Sequence, residues 1–157
     1  IRHVVNETRN GMDAGLTIDQ LAHQIKLPKR LAEKPYLREY YGRIQYAVRA
    51  YFVGTMGWFD GNPTSLSALP PQDEAKRLIS LLGGIEVIKK EIEKSISASD
   101  FQWALQLVDR LIFSDQDLKY AKSTKAKILR LHAENQINCP TRHYYIQCAK
   151  ELENEIE

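Results

Sequence analysis

The stretch Leu37–Met56, LREYYGRIQYAVRAYFVGTM, decides the fold class. Ile44, Val48, Tyr51, Phe52 and Met56 recur at steps of three and four residues, the period of a helical face. Gly42, Ala47, Ala50 and Gly54 are small and let a second helix come close. The spacing predicts one long helix from about Leu37 to Met56, apolar nearly all round, densely packed on more than one side and central. The most apolar part, Ile44–Phe59, carries a single charge, Arg49. It is too short for a membrane span and reads as a buried helix.

Working outward, Trp58-Phe59-Asp60-Gly61-Asn62-Pro63 breaks this helix, because Asp-Gly and Asn-Pro are turn chemistry. Upstream, residues 2–13 form a first helix ending near Gly15. Thr17 to Gln20 is a capping-box pattern opening a short helix through Ile25. Pro28 starts another short helix, and Pro35 ends it. Downstream, Pro71 opens a helix with Asp73 and Glu74 in its first turn, and Gly83-Gly84 closes it.

All eight glycines and five of the six prolines precede residue 85, so residues 85–157 read as helices with short joints. Ile85, Ile88, Ile92 and Ile96 form the stripe of one helix. Ser99 to Gln102 reads as a second capping box, opening a helix to about Phe113 with Ala104, Leu107, Val108 and Leu111 inward. Helices over about 117–135 and 141–156 complete the set. No segment alternates like a strand. The expected fold is therefore an all-α bundle of about seven to eight helices. Asp100-Phe101-Gln102-Trp103-Ala104 with Ala121 and Ala126 resembles tetratricopeptide helix hairpins in the rear half, though for at most one and a half units.

Composition agrees with this reading. The chain has 157 residues, 43% apolar and 27% charged, which suits one globular domain or two very small ones. Net charge is +2, and neither half forms a basic field, which argues against nucleic acid as a partner. Cys139 and Cys148 have no zinc spacing; on one helix they would lie about 13 Å apart, too far to bridge. His3, His23, His132 and His143 are scattered over four elements without His-x-His or His-x-x-x-His spacing. Phosphate-loop, dinucleotide and Gly-x-Ser-x-Gly patterns are absent from the sequence, so no metal site, cofactor or catalytic group is expected in this chain. The first residue, Ile1, is not Met, and the chain is expected to be a piece of something longer.

Tyr36, Tyr40, Tyr41, Tyr46 and Tyr51 crowd together in sequence with Phe52, Trp58 and Phe59. Aromatics with arginine dominate interface cores, so a self-association surface is one reading. The other is a wall contributed to an active site elsewhere, where Arg49 meets an anion bidentately. Alternatively, Arg49 is spent on Asp60 or on backbone carbonyls.

These residues carry a family resemblance. Tyr36-Leu37-Arg38-Glu39-Tyr40-Tyr41-Gly42, Val48-Arg49-Ala50-Tyr51 and Gly57-Trp58-Phe59-Asp60-Gly61-Asn62-Pro63 resemble the helical dimerisation domain of alkyl sulfatases, zinc-dependent hydrolases of the metallo-β-lactamase superfamily. Leu27-Pro28, Glu74-Ala75-Lys76-Arg77, Gly83-Gly84, the Asp100–Ala104 segment and Tyr144-Tyr145-Ile146 fit as well, so the match covers nearly the whole chain. The resemblance implies residues 1–157 as a single dimerisation domain. A catalytic domain holding two zinc ions would lie upstream and a sterol-carrier-like domain downstream. The implied partners are a second copy and the parent's catalytic domain, and the implied reaction is hydrolysis of alkyl sulfate esters such as dodecyl sulfate. Tyr46, Arg49, Trp58, Phe59, Asp60 and Asn62 are then expected in the substrate-pocket wall. Tyr41, Gly42, Tyr51, Gly57, Gly61 and Pro63 are expected in the dimer or core motif. Two positions depart from the pattern. Family members often carry a histidine where Tyr46 stands, and some a tyrosine where Phe59 stands; both are candidate proton donors to the departing group. Cut from its parent, the chain is expected to expose an apolar patch near Tyr46, Trp58 and Phe59. A free-standing tetratricopeptide-like adaptor gripping a peptide is the alternative.

Overall fold

A computed structural model describes residues 1–156; Glu157 lies outside the described residues. The described residues hold nine α-helices and no strand. That agrees with an all-α bundle, and the two shortest, α2 (Ile18–Gln24) and α3 (Lys29–Ala32), are the short helices read from the capping box and from Pro28. Two compact units divide the chain, Ile1–Ala68 and a second beginning at Leu69.

In the front unit, α1 (Arg2–Asp13) and α2 both pack on α4 (Ile44–Met56). Val4, Leu21, Ala22, Ile25, Val48 and Phe52 form its core. The α1 terminus closes as its glycine demands. Gly15 takes φ +76°, and the Leu16 N–H reaches back to the Gly11 carbonyl at 2.9 Å. Thr17 and Gln20 form both hydrogen bonds of the capping box that starts α2.

Two expectations for the long helix are corrected. It begins at Ile44, not Leu37. Pro35–Leu37 form a 3-10 turn, and residues 38–43 are irregular. The start is set by Glu39, whose carboxylate accepts the Ile44 N–H at 2.7 Å. With a donor of the new helix satisfied from outside, Tyr40 and Tyr41 stay in the lead-in segment. Nor is α4 buried all round: Val48 and Phe52 are buried, while Tyr46, Val53 and Met56 are exposed. Within this unit its main helix contacts are with α1 and α2, against the side that carries Val48 and Phe52.

In the second unit α5 (Pro71–Leu81), α6 (Ile85–Ser97), α7 (Phe101–Phe113), α8 (Leu118–Glu134) and α9 (Cys139–Asn154) pack mainly on their sequence neighbours, with α5 also against α7. Short joints enforce this neighbour packing. Ile92, Ala104, Val108, Leu111, Ala121, Ile128 and Ala149 are fully buried at the centre. The stripes read from the sequence lie inward: Ile88 and Ile92 are buried on α6, and Ala104, Leu107, Val108 and Leu111 on α7.

Helix ends differ in two places. The cap of α7 is Asp100, which accepts the Trp103 N–H; Ser99 sits before it at φ +59°. The last helix begins at Cys139, with Pro140 inside its first turn, where a missing N–H costs nothing. Its cap is the buried Asn138, whose Oδ1 accepts the Thr141 N–H at 3.0 Å and hydroxyl at 2.7 Å.

Candidate functional site

The aromatic stretch lies on the front unit and is largely uncovered. Along α4, Tyr46, Ala47, Ala50, Val53 and Gly54 are exposed and share one side, opposite Val48 and Phe52, while Met56, one turn beyond Phe52 on its face, is exposed at the helix end. A Cβ built on Gly54 meets nothing within 4 Å. Glycine inside a helix costs stability, yet none of the described residues fills the space it leaves. The lead-in segment is open too: Tyr36 is 76% and Tyr41 73% exposed.

Tyr46 is held by its own helix start. The Arg43 guanidinium lies 5.2 Å from its ring centroid, and Nη1 donates to the hydroxyl at 3.4 Å. Glu39 anchors Arg43 from the other side, at 3.7 Å. Arg49 pairs with neither Asp60 nor backbone carbonyls. Its Nη2 donates to the Asp19 carboxylate of α2 at 2.6 Å. That pair is partly exposed, and a guanidinium carries five N–H donors, so Arg49 retains capacity for a second anion. Tyr51 is half-buried, and its hydroxyl accepts from Arg9 of α1 at 3.2 Å.

The helix ends in a rigid corner. Gly57 at φ +80° and Gly61 at φ +89° take left-handed conformations that side chains disfavour. Between them Trp58 is 73% exposed and meets the half-buried Phe59 edge-on, ring centroids 5.8 Å apart. Asp60 ties the turn, accepting the Asn62 N–H and the Ser65 hydroxyl, both at 2.8 Å. The Asn62 N–H, then Ser65, hold its carboxyl below the usual range. Asn62 in turn caps the 3-10 helix Pro63–Ser67 by accepting the Thr64 N–H at 3.2 Å, with Pro63 in first position.

The corner thus gathers Trp58, Phe59, Asp60, Gly61, Asn62 and Pro63. Tyr46 stands apart from it: Tyr46 and Met56 are ten residues, roughly 15 Å, apart along the axis. The exposed apolar side chains here are Tyr46 and Val53 on the outer side of α4, Met56 at its end and Trp58 in the corner, with Phe59 half-buried against Trp58. Gly42 lies in the open lead-in, with nothing within 4 Å of a built Cβ. Sequence reasoning missed Asp19, Glu39, Arg43 and Arg9. The Glu39–Arg43 spacing of four residues was readable; the Asp19–Arg49 and Arg9–Tyr51 pairings, 30 and 42 residues apart, had no local signal.

Among the described residues, no three His, Cys, Asp or Glu side chains gather to hold a metal ion. No helix is long and apolar enough to cross a membrane.

The family model described as alkyl sulfatase dimerisation matches residues 17–155. A linear primary-alkylsulfatase from a Pseudomonas strain is 38% identical over 158 aligned residues, spanning 100% of this chain and 30% of the relative. An (R)-specific secondary-alkylsulfatase from Pseudomonas is 34% identical, over 96% of this chain and 23% of the relative. The solved structure of a stereoselective inverting sec-alkylsulfatase from Pseudomonas superposes with a TM-score of 0.89 at 32% identity, over 99% of this chain and 25% of that one. The chain therefore spans about a quarter to a third of the length of these relatives. A helical chain with this corner, matched from its first capping box to its last helix, belongs to the alkyl sulfatase dimerisation family.

Proposed function

We propose that this chain is the part of an alkyl-sulfatase-like zinc hydrolase through which two copies of the enzyme pair, and that its outer α4 face also forms part of the substrate-pocket wall. The observation that carries this reading is the family match together with the uncovered aromatic surface of the front unit. A solitary chain rarely leaves so many large apolar groups in water. Pairing draws on the lead-in segment, Tyr36 to Gly42, with Tyr41 its most prominent side chain after Tyr36. The exposed apolar side chains from Tyr46 to Trp58 face the catalytic part of the parent enzyme.

In that wall Tyr46 presents a ring and hydroxyl fixed by Arg43, and Arg49 presents spare N–H donors to an anionic head such as a sulfate. Tyr51, Gly57, Gly61 and Pro63 hold the shape of the helix and its corner. The two zinc ions of the parent belong to its catalytic part. This chain's described residues do not fit a metal site, and no step of hydrolysis runs through a metal held here. The parent's substrate is a sulfate ester of an alkyl alcohol. The free-standing peptide-binding adaptor is not favoured, because the family match runs over nearly the whole chain.

Light scattering on the eluting chain tests the pairing. A two-fold dimer at micromolar concentration, weakened by Tyr41→Asp, is expected, and it should bury well over ~1,000 Å² in total. A monomer throughout that range overturns it.

A further inference from the structure

We propose that the cleft between α6 and α7 binds a single-chain amphiphile with an anionic head. The cleft lies wholly in the second unit and shares no residue with the surface assigned above. Leu82, Val87, Ile88, Trp103 and Leu107 line it and enclose about 370 Å³. Ile88 and Leu107 are buried, while Leu82, Val87 and Trp103 are roughly half exposed. The volume falls in the range of small-molecule sites, about 300–1,000 Å³. Three half-exposed apolar side chains are far too few for the ~800 Å² per partner of a stable protein pair.

Charge selects the head group. The remaining lining groups are Lys90, Glu91 and Lys94. Lys94 Nζ lies 3.2 Å from both Glu91 carboxylate oxygens, so those two cancel. Lys90 makes no ion pair among the described residues and leaves one ammonium unanswered beside an apolar slot. An alkyl tail along Trp103 and Val87, with its anionic head on Lys90, satisfies both halves of the cleft. A sulfate ester and a fatty carboxylate share this chemistry.

The test uses the whole chain in a Trp58→Phe background, which leaves Trp103 as its single tryptophan. Decyl sulfate and decanoate are titrated separately below their micelle concentrations. The expected result is a saturable blue shift of Trp103 emission with one-to-one stoichiometry by calorimetry. Lys90→Glu weakens it about tenfold or more, the loss of one charge-assisted contact. Val87→Asp, at an exposed helix position, abolishes it while far-UV dichroism stays unchanged. Decyltrimethylammonium gives no saturable shift. Similar affinity for both anions marks a general anionic-head site; preference for decyl sulfate or for decanoate names the source, and each supports the proposal. No saturable shift with either anion, an affinity unchanged by Lys90→Glu, equal binding of the cation, or an emission change that tracks loss of helix overturns it. Because the site is separate from Tyr36–Pro63, the pairing measurement is unaffected by either result.

Discussion

Gly54→Ala should make this chain more stable, and the size of the gain follows from the bareness of one helix face. Gly54 lies inside α4, where glycine costs about 0.5–1 kcal/mol relative to alanine through backbone freedom lost on folding. A Cβ there meets nothing within 4 Å, so no clash offsets the gain. The expected change is therefore about +0.5–1 kcal/mol in full. For a unit of this size that raises the midpoint temperature by about 3–6 °C. With a urea slope near ~1 kcal/mol/M, the urea midpoint rises by about 0.5–1 M at constant slope. Gly11→Ala is the matched control. It adds the same methyl to α1, but this Cβ falls 2.1 Å from Leu21 Cδ2, in a side chain only 2% exposed. Overpacking of about 1–3 kcal/mol then outweighs the helix gain. Urea melts followed by far-UV dichroism read both variants, with Trp58 fluorescence in a Trp103→Phe background reporting the front unit. A Gly54→Ala chain no more stable than the parent would refute the reasoning. It would mean that part of this chain already packs against α4's outer side.

Val48→Ala, at a position with no exposure, should cost about 2–3 kcal/mol by lost transfer energy and the cavity left, read as a lower urea midpoint. Asn138→Ala removes a buried cap that serves both the N–H and the hydroxyl of Thr141; a loss of about 1–3 kcal/mol is expected, and Asn138→Asp should recover part of it. Acid should weaken the second unit. Lys89 holds the Asp117 carboxyl below its usual range at 2.7 Å, and Arg130 does the same for Glu153. Depressed carboxylates stabilise above the ordinary range near ~4 and lose that stabilisation as pH falls through their lower folded values. Asp117→Asn should flatten this acid slope in melts below about pH 4, and an unchanged slope would exclude Asp117 as a contributor.

Much of the fold was legible because it rests on local chemistry. The capping box at Thr17, the glycine stop at Gly15 and the isoleucine stripe of α6 lie where periodicity and turn chemistry put them. What failed did so for non-local or competing reasons. The start of α4 moved to Ile44 because a carboxylate five residues upstream caps it, an interaction that no apolar spacing records. The burial of α4 was overestimated because apolar residues around a whole helix state only that all its sides want cover. They do not say whether the cover comes from this chain. Of the site, the corner from Gly57 to Pro63 was readable from turn residues alone. The partner of Arg49 was not, since Asp19 comes from another helix 30 residues away.

The most direct measurement is oxidative footprinting of Met56 and Trp58, in this chain alone and in the full-length enzyme that carries it. The account predicts rapid modification of both side chains in the isolated chain and at least several-fold protection in the enzyme, where the catalytic part covers α4. Equal rates in the two would contradict it, because these apolar side chains would then face water in the working enzyme as well.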